Sequence, residues 1–170
     1  MGTRSSALRW SKSPARAELL ALYAETDALA EGWTCACSDE KSCAPPSPGE
    51  PPASRCCLFG VTGREPYPTA VELEEVRHGM RTSGVVPSRR LPLVELRPCP
   101  LLSESGRCRI YASRPFGCRT FFCREAQPPF GARVKRPRDA VNAIGRRIAD
   151  LSARFAPHDP HPRALTKSLP

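Results

Sequence analysis

The cysteines are the residues of this chain best suited to chemistry, since nine of them occur in 170 residues. Four of the nine fall in one stretch, at Cys99, Cys108, Cys118 and Cys123. Thiolates are ligands for zinc and for iron–sulfur clusters, and turns that contain Gly or Pro let short segments deliver several thiolates to one point. In a chain without a secretory signal, such density indicates metal ligation or redox chemistry rather than a disulfide framework.

The spacing of these cysteines predicts a metal site but does not choose the metal. Cys118 and Cys123 are separated by four residues, as zinc ligands can be, whereas the other gaps in the stretch are eight and nine residues. Nine cysteines exceed one four-ligand set, so either two metals bind, or the remaining cysteines are buried apolar residues, reactive thiols or a disulfide. We interpret Cys37 and Cys43 as incidental surface thiols and the three histidines as solvated.

Charged and aromatic residues surround Cys118. Arg114 and Arg119 flank it, and Tyr111 lies shortly before it. Guanidinium groups there would offset the negative charge of thiolates, and aromatic rings would exclude water, which are two ways to tune a metal site. The same residues could also form an ordinary core edge with exposed arginines, and the two interpretations are compatible.

Three amphipathic helices are predicted to position the cysteines, because apolar residues recur at spacings of three and four. Their start and stop signals delimit runs from Ser13–Pro14 to Gly32, from Thr69 to Gly84, and from Asp139 to Phe155. Short strands are predicted from Leu58 to Val61 and from Arg89 to Arg97, and a hairpin should bring Cys99 close to Cys108. The predicted fold class is α+β: a small, irregular, cysteine-rich and metal-bound centre with short strands, braced by about three helices.

A single cysteine-cluster domain is predicted over residues 13–156, with a Pro-rich loop insertion at 44–54. Residues 1–12 should form a disordered basic N-terminus, and residues 157–170 an irregular C-terminal tail. The chain has 20 prolines and only 6% aromatic residues, so it has limited apolar area to bury. Such a fold can gain stability from a bound metal, because metal ligands cross-link the chain.

The net charge of +9 is carried by the second part of the chain. Residues 1–100 hold 12 basic and 12 acidic side chains, whereas residues 101–170 hold 14 and 5. The excess could bind nucleic acid, compensate a negatively charged thiolate centre, or reflect a general preference for Arg over Lys. We favour the last two, because no nucleic-acid motif accompanies the charge. No apolar run reaches the ~18 residues of a membrane span and no signal peptide is evident, which predicts a cytoplasmic protein without a membrane partner.

A more specific pattern joins several of these features. The pair Cys56–Cys57 is followed by a T-x-x-E helix start, then by C-P-L-L, then by G-R-C-R-I-Y-A-S-R-P-F-G-C-R-T-F-F-C. This order resembles the YkgJ-type cysteine-cluster family, whose members are described as zinc- or iron-chelating domains. The resemblance covers residues 35–123, and its strongest part is the C-x-I-Y-x-x-R-P-x-x-C core from Cys108 to Cys118.

The resemblance implies a ligand set and a function. The cysteines implied as metal ligands are Cys35, Cys56, Cys57, Cys99, Cys108, Cys118 and Cys123. The implied function is a metal-binding protein that holds zinc or iron, including an iron–sulfur cluster, in a structural, metal-handling or redox role. The family is also similar to part of the flagellin lysine N-methylases, so the alternative is an iron–sulfur-dependent modifying enzyme. Whether the protein is an enzyme stays open.

Overall fold

The described part of the chain is mostly helical. A computed structural model describes residues 9–29, 55–87, 97–104, 106–121 and 137–169. Six named α-helices lie in these ranges: α1 Pro14–Leu29, α2 Phe59–Thr62, α3 Ala70–Thr82, α4 Phe116–Arg119, α5 Arg138–Phe155 and α6 Leu165–Ser168. Two 3₁₀ turns, Arg55–Cys57 and Tyr111–Ser113, complete the elements, and residues 9–11 are helical as well.

The predicted α+β fold class is wrong, because the described residues contain no strand. Only two isolated antiparallel bridges occur in these ranges, between Leu58 and Pro98 and between Leu102 and Cys108. The first bridge is a non-hydrogen-bonded pair, so the backbone nitrogen of Pro98 points away from Leu58 and the proline is tolerated there. The backbone N–H groups of Phe59 and Cys99 donate the two hydrogen bonds that flank the bridge. The pairing ends there because a 3₁₀ turn precedes Leu58 and helix α2 begins directly after it.

The strand predicted from Leu58 to Val61 is instead a bridge residue followed by helix α2. Leu58 and Phe59 are both buried in the core, at 4% and 3% exposure. Consecutive residues of a strand point to opposite faces, so a strand would bury only one of them on a single core. The strand predicted from Arg89 lies outside the described residues except for Arg97.

In place of the hairpin predicted before Cys108, the chain forms a tight turn and a single bridge between Leu102 and Cys108. The backbone N–H of Gly106 donates to the carbonyl of Ser103 at 3.1 Å, and Gly106 has a φ of 75°, a left-handed value that favours glycine. The N–H of Arg109 donates to the Leu101 carbonyl at 3.0 Å. Beyond this point the chain enters the 3₁₀ turn Tyr111–Ser113, so the pairing does not extend into strands.

The three long helices agree with the sequence prediction. Helix α1 begins at Pro14 and is described as far as Leu29, so the predicted stop at Gly32 lies outside the described residues. Helix α3 begins after Thr69, whose N–H donates to Glu72 in the predicted capping box. Helix α5 has its predicted end at Phe155.

Helix α3 joins two hydrophobic clusters. The first lies between α1, α3 and α5 and consists of Trp10, Leu19, Leu22, Tyr23, Val71, Ile144, Ile148 and Leu151. The second lies on the cysteine side of α3 and consists of Phe59, Val76, Met80, Cys99, Leu101, Ile110 and Leu165. Because α3 supplies residues to both clusters, it links the helical part to the cysteine-rich part.

Each terminal segment also contributes to the core. Trp10 lies in the segment predicted to be disordered, yet it is only 5% exposed, and its indole N–H donates to the buried Glu75 at 2.9 Å. The tail predicted to be irregular contains helix α6, whose Leu165 is 1% exposed. The backbone N–H of Leu165 donates to the Pro66 carbonyl at 3.1 Å, which ties the tail to the segment before α3.

Candidate metal centre

Five cysteines come together from three separate segments. Cys56 and Cys57 form most of the first 3₁₀ turn, and the backbone N–H of Cys99 donates to the Cys57 carbonyl at 2.7 Å. Cys108 follows the tight turn at the second bridge, and Cys118 lies in helix α4. Cys57, Cys99 and Cys108 all pack in or against the second hydrophobic cluster. The folded chain therefore gathers thiols that are up to 62 positions apart, from 56 to 118.

The adjacent thiols Cys56 and Cys57 differ strongly in acidity. A side-chain hydrogen bond from Cys57 lowers the pKa of the Cys56 thiol to about 7, although burial acts in the opposite direction. The same hydrogen bond, together with burial, raises the pKa of Cys57 far above that of an ordinary thiol. Near neutral pH, about half of Cys56 is therefore a thiolate, which accepts a hydrogen bond from its neighbour.

Burial is the first cause of the raised pKa values of the other three thiols. It raises the pKa of Cys99 to about 12, and it raises the pKa of Cys108 and of Cys118. Negative charge on Cys56 adds to the rise at all three, so these thiols lie within electrostatic reach of one another. A cation among them would act in the opposite direction, because it favours the thiolate form.

Helix α4, which carries Cys118, is held by a buried carboxylate of α3. Glu72 Oε1 accepts a hydrogen bond at 2.7 Å from the backbone N–H of Phe116, the first residue of α4. The Tyr23 hydroxyl donates to the same oxygen at 3.3 Å, and the Thr69 N–H donates to Oε2 at 2.9 Å. Both carboxylate oxygens are thus satisfied inside the protein. Glu72 connects α1, the start of α3 and the helix that carries Cys118.

Glu75, one turn further along α3, holds the 3₁₀ turn that precedes α4. Its Oε1 accepts from the Ser113 hydroxyl at 2.9 Å, and its Oε2 accepts from the Trp10 indole at 2.9 Å and from Arg16 Nε at 2.7 Å. Burial alone would raise the pKa of Glu75, but these hydrogen bonds outweigh it and lower that pKa. Gly79 lets the turn approach closely, since a Cβ at this position would lie 2.6 Å from Ser113 Cβ.

The two arginines predicted to surround the site have different environments. Arg119 donates from all three of its nitrogens, to the Arg114 carbonyl at 3.0 Å, to Asp27 Oδ2 at 2.5 Å and to the Ala112 carbonyl at 2.6 Å. Arg119 therefore braces the chain between the second 3₁₀ turn and α1. Arg114 instead places its guanidinium carbon 3.9 Å from the centre of the Tyr111 ring, which is itself 61% exposed.

Arg114 is the arginine that acts on several thiols. Burial raises the pKa of Cys108 and of Cys118, and the positive charge of Arg114 opposes that rise. At Cys56 the same charge adds to the lowering of the pKa by the hydrogen bond from Cys57. Arg114 is thus an electrostatic neighbour of three cysteines, as expected of a group that offsets thiolate charge.

The donor set is chemically suited to zinc or to an iron–sulfur centre. All five described cysteines are free thiols, and thiolate sulfur is the ligand type that such centres use. Within the described ranges, no three side chains of Cys, His, Asp or Glu stand in a ready-made ligand arrangement. Metal binding would therefore require the thiols to rotate toward a common point and to lose their protons.

Four of the cysteines lie outside the described residues, and three carboxylates near the site have roles that were not predicted from the sequence. Cys35, Cys37, Cys43, Cys123 and the Pro-rich loop at 44–54 lie outside the described residues. The sequence pattern predicts Glu72 only as part of a helix cap, and it gives no role to Glu75 or Asp27. A signal for Glu75 was present, because helical spacing places it on the same face of α3 as Glu72 and the buried Val76.

Comparisons with known proteins give no relative from which a function could be transferred. The chain matches no protein-family model, no curated protein and no solved structure. Across the described ranges, none of the helices has the length and apolar character needed to cross a bilayer.

Proposed function

We propose that this protein is a metal-binding cysteine-cluster protein that holds zinc or an iron(–sulfur) centre through clustered thiolates. The observation that carries the proposal is the convergence of five free cysteines from three segments into one partly buried neighbourhood. The residues that would hold the metal are Cys56, Cys57, Cys99, Cys108 and Cys118. These five donors already exceed the four that one tetrahedral site needs, so Cys35 and Cys123 would be needed as ligands only for a second metal.

The bound metal would cross-link the segments that carry the cysteines, and as an iron–sulfur centre it would also supply electron transfer. The chain's own residues prepare this site in two ways. Cys57 holds Cys56 as a thiolate, and Arg114 offsets negative charge at Cys56, Cys108 and Cys118. The role we propose is structural, metal-handling or redox, in line with the sequence resemblance to the YkgJ-type family.

A reducing, cytoplasmic location is part of this proposal. Thiols in such a compartment stay reduced and available for metal ligation, and the described cysteines form no disulfide. The proposed partner is accordingly the metal ion. Nucleic acid is not part of the proposal, because several of the excess arginines pair with carboxylates at the surface, as Arg147 does with Glu25 and Arg154 with Glu18.

The experiment that tests the proposal measures zinc and iron retained by single cysteine variants. Cys108→Ser and Cys118→Ser should each retain less than about a tenth of the wild-type metal, because losing one thiolate opens a four-ligand site. Metal content is measured by inductively coupled plasma mass spectrometry on protein purified without oxygen. Cys37→Ser is the matched control, since Cys37 is predicted to be an incidental surface thiol, and it should retain the wild-type content.

Full metal retention by both Cys108→Ser and Cys118→Ser would contradict the proposed ligand set. Loss of metal in Cys37→Ser would show that the ligands include the segment before Cys56.

A further inference from the structure

Two arginines near the cysteines have a buried nitrogen that lacks a hydrogen-bond partner. In the described ranges, the buried side-chain atoms without a partner are His78 Nδ1, Arg109 Nε and Arg114 Nε. A buried N–H donor without an acceptor destabilises a fold, so native proteins rarely contain one without a functional reason. Arg109 uses another of its nitrogens for the carbonyls of Val86 and Pro100, at 2.9 and 3.0 Å. Among the described residues, the contact of the Arg114 guanidinium with an acceptor is a 3.9 Å ion pair with Asp27.

The guanidinium of Arg114 is nevertheless held in a defined place. Its carbon lies 3.9 Å from the centre of the Tyr111 ring, and one of its terminal nitrogens lies 3.9 Å from Asp27 Oδ1. The backbone of Arg114 is also fixed, because its carbonyl accepts a hydrogen bond from Arg119 at 3.0 Å. Stacking and backbone contacts thus position a side chain whose Nε–H has no acceptor.

Cysteine sulfur groups lie within electrostatic reach of Arg114. Its charge acts on Cys56, Cys108 and Cys118, which are sulfur groups from all three cysteine-bearing segments. A thiol is a weak acceptor, but a metal-bound thiolate sulfur carries negative charge and accepts charge-assisted hydrogen bonds. A divalent ion with four thiolates keeps a net negative charge, which a fixed guanidinium stabilises.

We propose that Arg114 is a positioning residue for an all-thiolate, negatively charged metal centre, and that its Nε–H donates to a cysteine sulfur of that centre. This inference rests on the proposed function. It deepens that function by specifying a negatively charged centre with thiolate ligands only. A neutral site with mixed nitrogen and sulfur ligands would not be stabilised by the guanidinium charge. The ligands are then all drawn from the cysteines.

The test is a Co²⁺ titration of the reduced full-length protein against a competing chelator, followed by absorption spectroscopy. Arg114→Gln should fold as the wild type does and bind Co²⁺ about 10–100-fold more weakly, as loss of a group that hydrogen-bonds a metal ligand does. Its sulfur-to-cobalt charge-transfer band should move to lower energy, because a hydrogen bond to sulfur stabilises the sulfur lone pair. A purely structural role for Arg114 would not move this band.

Two further variants separate charge from hydrogen bonding. Arg114→Lys keeps the charge but cannot place a donor where Nε–H lies, so it should recover part of the affinity while its band stays shifted. Arg146→Gln removes one positive charge from an exposed position on α5, and it should leave affinity and band unchanged.

The outcomes distinguish this inference from the proposed function. If the wild type binds Co²⁺ through sulfur and Arg114→Gln and Arg114→Lys match it in affinity and band position, the inference is overturned and the proposed function stands. If the wild type shows no sulfur-to-cobalt band at all, the proposed function fails and the inference fails with it. If Arg114→Gln does not fold, the band of Arg114→Lys decides the inference.

Discussion

Two neighbouring thiols, Cys56 and Cys57, have opposite chemical character in this protein. Cys57 donates its proton in a hydrogen bond to Cys56, so the pKa of Cys56 lies at about 7 while that of Cys57 is strongly raised. Only the thiolate form of cysteine is a good nucleophile or metal ligand. One member of the pair is therefore ready to react near neutral pH, and the other must first lose a proton.

Alkylation of the metal-free, reduced protein should reveal this difference. Iodoacetamide at neutral pH should modify Cys56 about a hundredfold or more faster than Cys99, because burial raises the pKa of Cys99 to about 12 while that of Cys56 is about 7. Each pKa unit lowers the thiolate fraction about tenfold and raises the nucleophilicity of the thiolate only about threefold. Tandem mass spectrometry of tryptic peptides assigns the modified residue.

The control for this prediction is the same reaction in denaturant, where Cys56 and Cys99 should react at similar rates. Equal rates in the folded protein, with the helical circular dichroism signal intact, would refute the assignment of Cys56 as the acidic thiol.

At the scale of elements, helix α3 positions the segment that carries Cys118, through hydrogen bonds and close packing. Glu72 binds the first residue of α4, and Glu75 binds Ser113 in the preceding 3₁₀ turn. Gly79 leaves room for that turn to pack directly against the helix. Three positions on one face of α3 therefore determine where Arg114 and Cys118 lie.

Adding one methyl group at Gly79 should disturb this support. In Gly79→Ala the new Cβ would lie 2.6 Å from Ser113 Cβ, so the turn must move away, and we expect a loss of about 1–3 kcal/mol in the free energy of unfolding. The matched control is Gly145→Ala in α5, where the nearest atom is the edge of the Phe116 ring at 3.3 Å. That ring can shift by a few tenths of an ångström, and alanine favours the helix by about 1 kcal/mol, so Gly145→Ala should be as stable as the wild type or more so.

Urea unfolding followed by circular dichroism measures both variants. Equal stability of Gly79→Ala and the wild type would show that the turn does not need its close contact with α3.

The long helices could be predicted from the sequence because periodicity and capping signals act locally. Pro14, the capping box at Thr69 and Glu72, and the apolar stripe that ends at Phe155 each mark a helix without reference to the rest of the chain. The strand predicted from Leu58 to Val61 failed for a reason that is not visible in its own residues. Pairing depends on how far both segments stay extended, and here a 3₁₀ turn precedes Leu58 and helix α2 follows it.

The candidate site was predictable in part for the same reason. Cysteine identity and order are visible in the sequence, so Cys56, Cys57, Cys99, Cys108 and Cys118 could be named as a group. Their supporting residues were harder to find, because Glu75 contacts Trp10 across 65 positions. Such long-range pairs of buried polar groups arise only from the packing of α3 against the helical residues 9–11.

At the scale of the whole molecule, two small hydrophobic clusters of the described residues share helix α3, and the five described cysteines lie on the side with fewer long elements. The second cluster is built on one long helix, α3, and otherwise on the short helices α2 and α6, turns and bridges. A core of this kind has limited apolar area, and the cross-links of a metal centre would add stability where regular structure is sparse. The central claim is thus that the cysteine side of the fold is completed by a metal.

The most direct test of that claim is the zinc and iron content per chain of protein purified without oxygen and without added metal. We predict either about one zinc per chain, as in a closed structural site, or several irons with acid-labile sulfide, as in a cluster. Loss of that metal to a chelator should lower the melting temperature. Protein that contains neither metal and melts at the same temperature with and without chelator would contradict the account and leave a role based on the thiols themselves.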